Sequence, residues 1–268
     1  MKNFENEKIV SKAFSNQSVL FDELYDTNYL VSYSRRIIRD ELLRNLKASD
    51  EILELNAGTG TDAIFLAQHG FNVMATDVSP GMIQILRQKI LAHHLQSKIQ
   101  TELCSFWDVD KLTEKQFDLI YSNFGGLNCT DKLNELLPLL MNKLKPGGRA
   151  VFVVMPVFCL WERIMFLKGN VQLALRRRNG RAARARIEGE YFNVWYYNPD
   201  YMIKALQGYA RLQRLQSLSL FVPPSAHRNF NKRYPQLLTI LEKVDSLLTT
   251  RWPFRNWGDY VIITFEKV

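Results

Sequence analysis

Ile52-Leu53-Glu54-Leu55-Asn56-Ala57-Gly58-Thr59-Gly60-Thr61-Asp62-Ala63 decides how the rest of the chain is read. An apolar run of strand character reaches an acid, passes two glycines two residues apart, and opens into the helical pattern Ala63-Ile64-Phe65-Leu66-Ala67. The sequence predicts a strand, a tight turn and a helix. Gly58 and Gly60 permit dihedrals and a backbone approach that a side chain forbids, so a flat ligand can lie against the turn at the helix N-terminus.

Ala63 even completes the Gly-x-Gly-x-x-Ala form of a dinucleotide fingerprint. Glu54 turns the reading elsewhere. A carboxylate just before the turn opposes a pyrophosphate but suits a ligand carrying an ammonium and a sulfonium. A second strand, Phe71-Asn72-Val73-Met74-Ala75-Thr76-Asp77, ends in an acid placed to accept both ribose hydroxyls of an adenosine.

Working outward, strands are predicted at 51–56, 71–76, 99–104, 117–122 and 149–155, with helices at 61–69, 80–93 and 131–143 between them. Such alternation implies an α/β fold with a doubly wound, mostly parallel sheet, which binds ligands at the carboxyl ends of its strands. Glu54 to Gly60, Asp77, Ser105 to Asp108 and Ser122 to Asn128 then share one rim.

The motifs Glu54-Leu-Asn-Ala-Gly-Thr-Gly60, Asp77-Val-Ser-Pro-Gly-Met82, Phe117-Asp-Leu-Ile-Tyr-Ser-Asn123 and Leu144-Lys-Pro-Gly-Gly148 occur in order. In these the chain resembles the class I S-adenosylmethionine-dependent methyltransferases over about residues 30–156, and more loosely at its end. Asn56 stands where that family usually has glycine, and asparagine tolerates unusual backbone angles.

The resemblance implies a seven-stranded Rossmann-like methyltransferase sheet with an antiparallel closing strand, and S-adenosylmethionine as cofactor. It implies cofactor contacts from Glu54, Asn56, Ala57, Gly58, Gly60, Asp77, Val78 and Met82. Ser105, Phe106 and Trp107 would meet the adenine, and Ser122, Asn123 and Phe124 would run beneath the methyl donor. The segment Phe21 to Arg36 is similar to the N-terminal part of glycine N-methyltransferase-type enzymes; by that likeness Arg35 would pair with the methionine carboxylate and Tyr25 would cover it.

The domain plan read from the sequence is a helical lid at 1–47, a cofactor-binding core at 48–156, a cap or substrate segment with a late sheet strand at 157–230, and a closing helix and strand at 231–268. Within the later parts, helices are expected at 157–168, 199–209 and 234–250, and strands at 192–197, 212–221 and 259–267. The acceptor would be a small molecule. Asn128, Trp161 and Tyr196 are candidate acceptor contacts, and Asn128 and His227 the candidate catalytic groups.

At 268 residues, 47% hydrophobic and 23% charged, the composition is that of an ordinary soluble protein, long enough to bury a full core. No stretch reaches the roughly eighteen uncharged apolar residues of a membrane span, and the polar start is no signal peptide, so a cytoplasmic location is expected. Cys104, Cys129 and Cys159 lack paired spacing and the four histidines lack ligand spacing, so neither a disulfide framework nor a metal is expected.

Between residues 163 and 186 there are eight basic residues and no acid: Arg163, Lys168, Arg176, Arg177, Arg178, Arg181, Arg184 and Arg186. They equal the net charge of +8, so the basicity is local. An anionic membrane surface, an acidic group on the substrate or its carrier, and a solvated face all fit this run. Trp161, Phe166 and Leu167 beside it would favour a hydrophobic or aromatic acceptor, with the methylated atom O, N or C. Two rivals remain: an RNA methyltransferase using the arginines, although neither an RNA-binding module nor an Asn/Asp-Pro-Pro-Tyr/Phe motif is present, and a noncatalytic cofactor-binding protein.

Overall fold

The computed structural model describes the chain apart from Met1, Thr113, Lys168, Asn170 and residues 172–174 and 178–181. Its centre is a seven-stranded sheet of β1 (Glu51–Leu55), β2 (Asn72–Asp77), β3 (Ile99–Leu103), β4 (Phe117–Ser122), β5 (Leu144–Val154), β8 (Ala210–Leu218) and β9 (Tyr260–Lys267). The strand order is β3-β2-β1-β4-β5-β9-β8. From β3 to β5 every pairing is parallel, whereas β9 runs antiparallel to both β5 and β8. The fold is therefore α/β, as expected, with its order reversing between β1 and β4.

Strand alternation builds two cores. In β1, Leu53 and Leu55 join one buried cluster while Ile52 joins the other, and in β5 Ala150, Phe152 and Val154 oppose Val151 and Val153 in the same way. Two N-terminal helices, α1 (Lys2–Asp26) and α2 (Tyr29–Arg44), precede the sheet; α3 (Thr61–Gln68) follows β1 and α4 (Pro80–Ala92) follows β2. Their starts are chemically marked. The Asn28 side chain accepts from Leu30 N at 3.1 Å before α2, and Ser79 Oγ accepts from Met82 N at 3.2 Å with Pro80 opening α4.

Gly60 adopts φ 78°, and a Cβ there would lie 2.0 Å from Leu86 Cδ1. The glycine is needed both for the turn and for the packing of α4 against it. Asn56 takes φ 55° in the left-handed region, the tolerance read from its sequence position.

Several boundaries differ from the sequence reading. β5 begins at Leu144, five residues early, because Leu144 pairs with Phe117 across a register shift. The strand expected at 192–197 is instead β7 (Glu190–Val194), which pairs with the unforeseen β6 (Ala183–Ile187) in a separate two-stranded hairpin. Trp195 and Tyr197 leave the hairpin to donate from their backbone to Asn128 O and Met155 O. The segment after β5 contributes the helix Leu160–Leu167, this hairpin and β8, while the helix Pro235–Leu248 leads toward β9. Among the described residues no helix is long and apolar enough to cross a membrane.

Candidate active site

A cleft opens at the carboxyl ends of β1, β2 and β4, with Asn56, Ala57, Gly58, Thr59, Asp77, Val78, Met82, Phe106, Asn123 and Phe124 among its lining residues. Here the turn read from the sequence does its structural work. A Cβ on Gly58 would meet nothing within 4 Å, so this face is open. Gly58 N donates to Asp77 Oδ2 and Ser79 N to Asp77 Oδ1, each at 2.8 Å, which fixes the carboxylate on the rim. Burial pushes the Asp77 carboxyl up to about 6 even though the backbone N–H groups of Ser79 and Gly58 pull it down.

Glu54 lies at the bottom, 2% exposed, and its Oε2 has no hydrogen-bond partner. Burial, reinforced by the neighbouring Asp62 charge, raises its carboxyl well above the usual range. An unpaired acceptor buried this deeply is costly unless a ligand donates to it. The Tyr121 hydroxyl, also buried and without a partner, is the neighbouring protein donor.

Asp62, in the first turn of α3, gathers three donors: Arg35 Nη1 at 2.6 Å, Arg39 Nε at 2.8 Å and Asn123 Nδ2 at 2.7 Å. Burial alone would raise its carboxyl, but the Arg35 and Arg39 charges outweigh it and hold it below the ordinary value. Arg35 is thereby locked beside the cleft, with its guanidinium 5.1 Å from the Phe124 ring centre. Asn123 also receives Phe124 N on its Oδ1 at 2.7 Å, so the loop after β4 is tied to α3.

The α1 helix covers the cleft with Glu7, Val10, Phe14 and Phe21. Its Asp22 accepts from Thr59 Oγ1 at 2.5 Å and from Lys89 Nζ at 2.9 Å. Ser105, assigned to the adenine from the sequence, donates to Glu7 Oε2 at 2.7 Å, and Trp107 packs against the main core; neither lines the cleft. Phe106 does. Ser122 is buried and receives Asn56 Nδ2 at 2.9 Å, while Gly60 shapes the turn without lining the cleft.

A second, apolar chamber of about 270 Å³ adjoins the cleft. The two share Phe14, Phe21, Arg35, Phe124, Gly125 and Cys129 as walls. The far side is formed by Ala185 and Ile187 of β6, Phe192 and Val194 of β7, and Met155 and Tyr260, while Tyr25 closes it toward α1. Tyr25 therefore lies over the chamber and not the cleft.

None of the acceptor contacts expected from the sequence lines this chamber. Asn128 is fully buried: its Nδ2 donates to Met155 O at 3.1 Å and Trp195 O at 2.6 Å, and its Oδ1 accepts from Met155 N at 2.9 Å. Both amide N–H groups and the side-chain carbonyl are thus engaged in joining β5 to the chain after β7. Tyr196 is buried beneath the Arg177 guanidinium, 5.0 Å from its ring centre. Trp161 and His227 pack against each other with ring centres 5.6 Å apart and planes tilted by 46°, and His227 is exposed.

The basic run is also not one surface. Arg177 is 3% exposed and donates to Glu162 Oε1, Pro156 O, Asp259 O and Asp259 Oδ1. Arg176 pairs with the same Glu162, and Arg184 and Arg186 both lie over Tyr191 on the outer face of the hairpin. Lys168, Arg178 and Arg181 lie outside the described residues, as do the side chains of Phe166 and Leu167. Cys159, Glu162 and Asp259 could group around a metal ion by distance, but the Arg177 guanidinium bonds to both carboxylates.

Residues 52–148 match the family model described as a methyltransferase domain. A demethylmenaquinone methyltransferase of Clavibacter sepedonicus is 32% identical over 149 residues, 53% of this chain and 59% of that protein. The chain thus spans about three fifths of the length of that curated relative. Among solved structures, the 1,6-didemethyltoxoflavin-N1-methyltransferase of Burkholderia thailandensis, with its substrate and S-adenosylhomocysteine bound, aligns over 99% of this chain and 90% of its own, with a TM-score of 0.58 and 14% identity. The geranyl diphosphate C-methyltransferase of Streptomyces coelicolor A3(2) aligns over 87% and 79% with a TM-score of 0.56 and 14% identity.

With the sheet order and the Gly58 turn, these matches show a Rossmann-like methyltransferase fold in which residues 52–148 match a methyltransferase domain, and the two solved neighbours hold S-adenosylhomocysteine, the spent form of the cofactor S-adenosylmethionine. The residues present suit that cofactor: a buried unpaired carboxylate for a cation, an acid at the end of β2 for a ribose, and an open glycine turn between them.

Proposed function

We propose that the protein transfers the methyl group of S-adenosylmethionine to an O, N or C atom of a small hydrophobic or aromatic molecule held in the apolar chamber. The observation that carries this reading is the shared wall of Phe14, Phe21, Phe124 and Gly125 between cleft and chamber. Asp77 would hold the ribose of the cofactor and Glu54 its ammonium, both lining the cleft on the near side of that wall. Arg35 then stands beside the methionine end, held by Asp62.

Transfer breaks the S–CH3 bond as the acceptor–CH3 bond forms, and the cofactor leaves as a neutral thioether. The positive charge is thus lost from sulfur in the transition state, so a dry, aromatic site favours the reaction and alignment supplies much of the rate. In this reading α1 is the lid that excludes water, and the core, the hairpin segment and the closing strand each supply one wall.

Two of the eight basic residues that motivate the RNA reading, Arg176 and Arg177, are engaged by Glu162 and Asp259, which weakens that reading relative to a small acceptor. The curated relative acts on demethylmenaquinone by its name, and a hydrophobic ring is compatible with this chamber. Incubating the protein with S-adenosylmethionine and a panel of quinols, phenols and aromatic amines tests the proposal by mass spectrometry. A methylated acceptor formed in step with S-adenosylhomocysteine supports it; cofactor binding without turnover on any hydrophobic acceptor favours the noncatalytic alternative.

A further inference from the structure

We propose that the outer face of the helix Pro235–Leu248 docks on an anionic lipid surface. The helix is apolar on more of its circumference than its own fold covers. Leu238 packs into a cluster with Leu30, Tyr33 and Val222, and Leu241 packs against the same cluster. Leu237, Ile240, Val244 and Leu247 recur at spacings of three, four and three residues and therefore form a second stripe that adjoins the first at Leu241 and turns round the helix toward solvent. Leu237 is 46% exposed, Ile240 57% and Leu247 62%, and Trp252 just beyond the helix is 79% exposed.

This face cannot be an accident of a loosely placed helix. Asp245, on the inner side, accepts from Leu220 N, Phe221 N and Val222 N, which sets the helix rotation. The outer stripe is held in solvent while the inner one is anchored.

Charge chooses the occupant. Lys232, Arg233, Lys243 and Arg251 flank the stripe and are exposed, and among the described residues no ion pair engages them. The acids of this helix are turned away: Glu242 accepts from the Tyr29 hydroxyl at 2.7 Å and Asp245 is buried. A second copy of the chain docking through the same patch in a twofold contact would bring these cations against each other. An anionic bilayer neutralises them while leucine, isoleucine and tryptophan enter the interfacial region. The earlier candidate for such a contact, residues 163–186, is a poorer one because Arg176 and Arg177 are paired internally.

The inference is independent of the acceptor's identity, and it is tested on the full chain by sedimentation with vesicles. Wild type is expected to bind vesicles of equal parts phosphatidylglycerol and phosphatidylcholine at least about tenfold more tightly than pure phosphatidylcholine. Replacing Leu237, Ile240 and Leu247 by Ser, or separately Lys232, Lys243 and Arg251 by Glu, is expected to weaken that binding about tenfold or more. All six positions are exposed, and unchanged circular dichroism and S-adenosylmethionine affinity would certify the fold. Equal binding to both vesicle types, or variants that bind as wild type does, would overturn the proposal. A concentration-dependent dimer seen by light scattering and abolished by the Ser variant would assign the face to a second copy instead.

Discussion

Arg35 on α2 and Asp62 at the start of α3 are joined by a 2.6 Å contact between side chains only 12% and 3% exposed. That pair, with Arg39 and Asn123 on the same carboxylate, ties the N-terminal helices and the loop after β4 to the glycine turn. Asp62→Ala leaves two arginines facing a vacated site. The expected loss is about 3 kcal/mol of stability, the lower end for a broken buried pair because Arg39 remains partly solvated. Urea denaturation measures it, and a loss below about 1 kcal/mol would mean that the network is ornamental to the fold.

Glu54 is expected to oppose folding and favour binding. Its folded-state carboxyl sits well above the ordinary range through burial, so its ionised form destabilises the unliganded chain once pH exceeds the unfolded value. Glu54→Gln should therefore leave the unliganded melting temperature at pH 7 unchanged or higher. S-adenosylmethionine affinity should fall about tenfold to a hundredfold as the charged contact is lost. Thermal shift with and without the cofactor reads both; a less stable free protein with intact affinity would reverse the assignment.

Asp77 gives a pH dependence of known sign. With its carboxyl near 6, the group is ionised at pH 7 and about one-tenth ionised at pH 5. A raised folded value means that stability from the protonated form is lost as pH climbs from about 4 through 6, whereas ribose binding needs the carboxylate. Cofactor affinity should thus fall about tenfold between pH 7 and pH 5, and Glu54 pushes in the same direction. A flat affinity profile across that range would contradict the role of both acids.

Ala185 offers a way to separate the two compartments, since it lines the chamber and not the cleft. Ala185→Trp should reduce kcat/KM for a hydrophobic acceptor about tenfold or more and leave S-adenosylmethionine affinity within about twofold. Equal loss of both would show that the hairpin supports the cofactor directly.

Much of this was legible in the sequence, and the reasons for the remainder are specific. The β1–Gly58–α3 unit and the acid closing β2 are local patterns, so their spacing fixes their geometry. Asn128 and Arg177 are the opposite case. Each finds its partners on segments distant in sequence, Asn128 at Met155 and Trp195, Arg177 at Pro156, Glu162 and Asp259. A polar residue after a strand reads the same whether it clamps backbone or meets substrate.

The β6 strand was concealed by its own charge. Ala183, Ala185 and Ile187 alternate with Arg184 and Arg186, a period-two pattern with its apolar side inward, but the arginines drew the reading toward a basic surface. With β6 unseen, the chamber wall of Ala185, Ile187, Phe192 and Val194 went unrecognised as well. Glu7 and Phe14 carry no local motif, and Asp62, although inside the stretch 52–63, takes its role from Arg35, Arg39 and Asn123, which are distant in sequence.

Calorimetric titration of S-adenosylmethionine into wild-type protein and into Asp77→Ala tests the central claim, that this cleft holds the cofactor with its ribose on Asp77. The expected result is saturable binding to wild type, weakened about tenfold to a hundredfold in the variant while circular dichroism is unchanged. Absence of binding to wild type, or equal affinity in the two proteins, would contradict it.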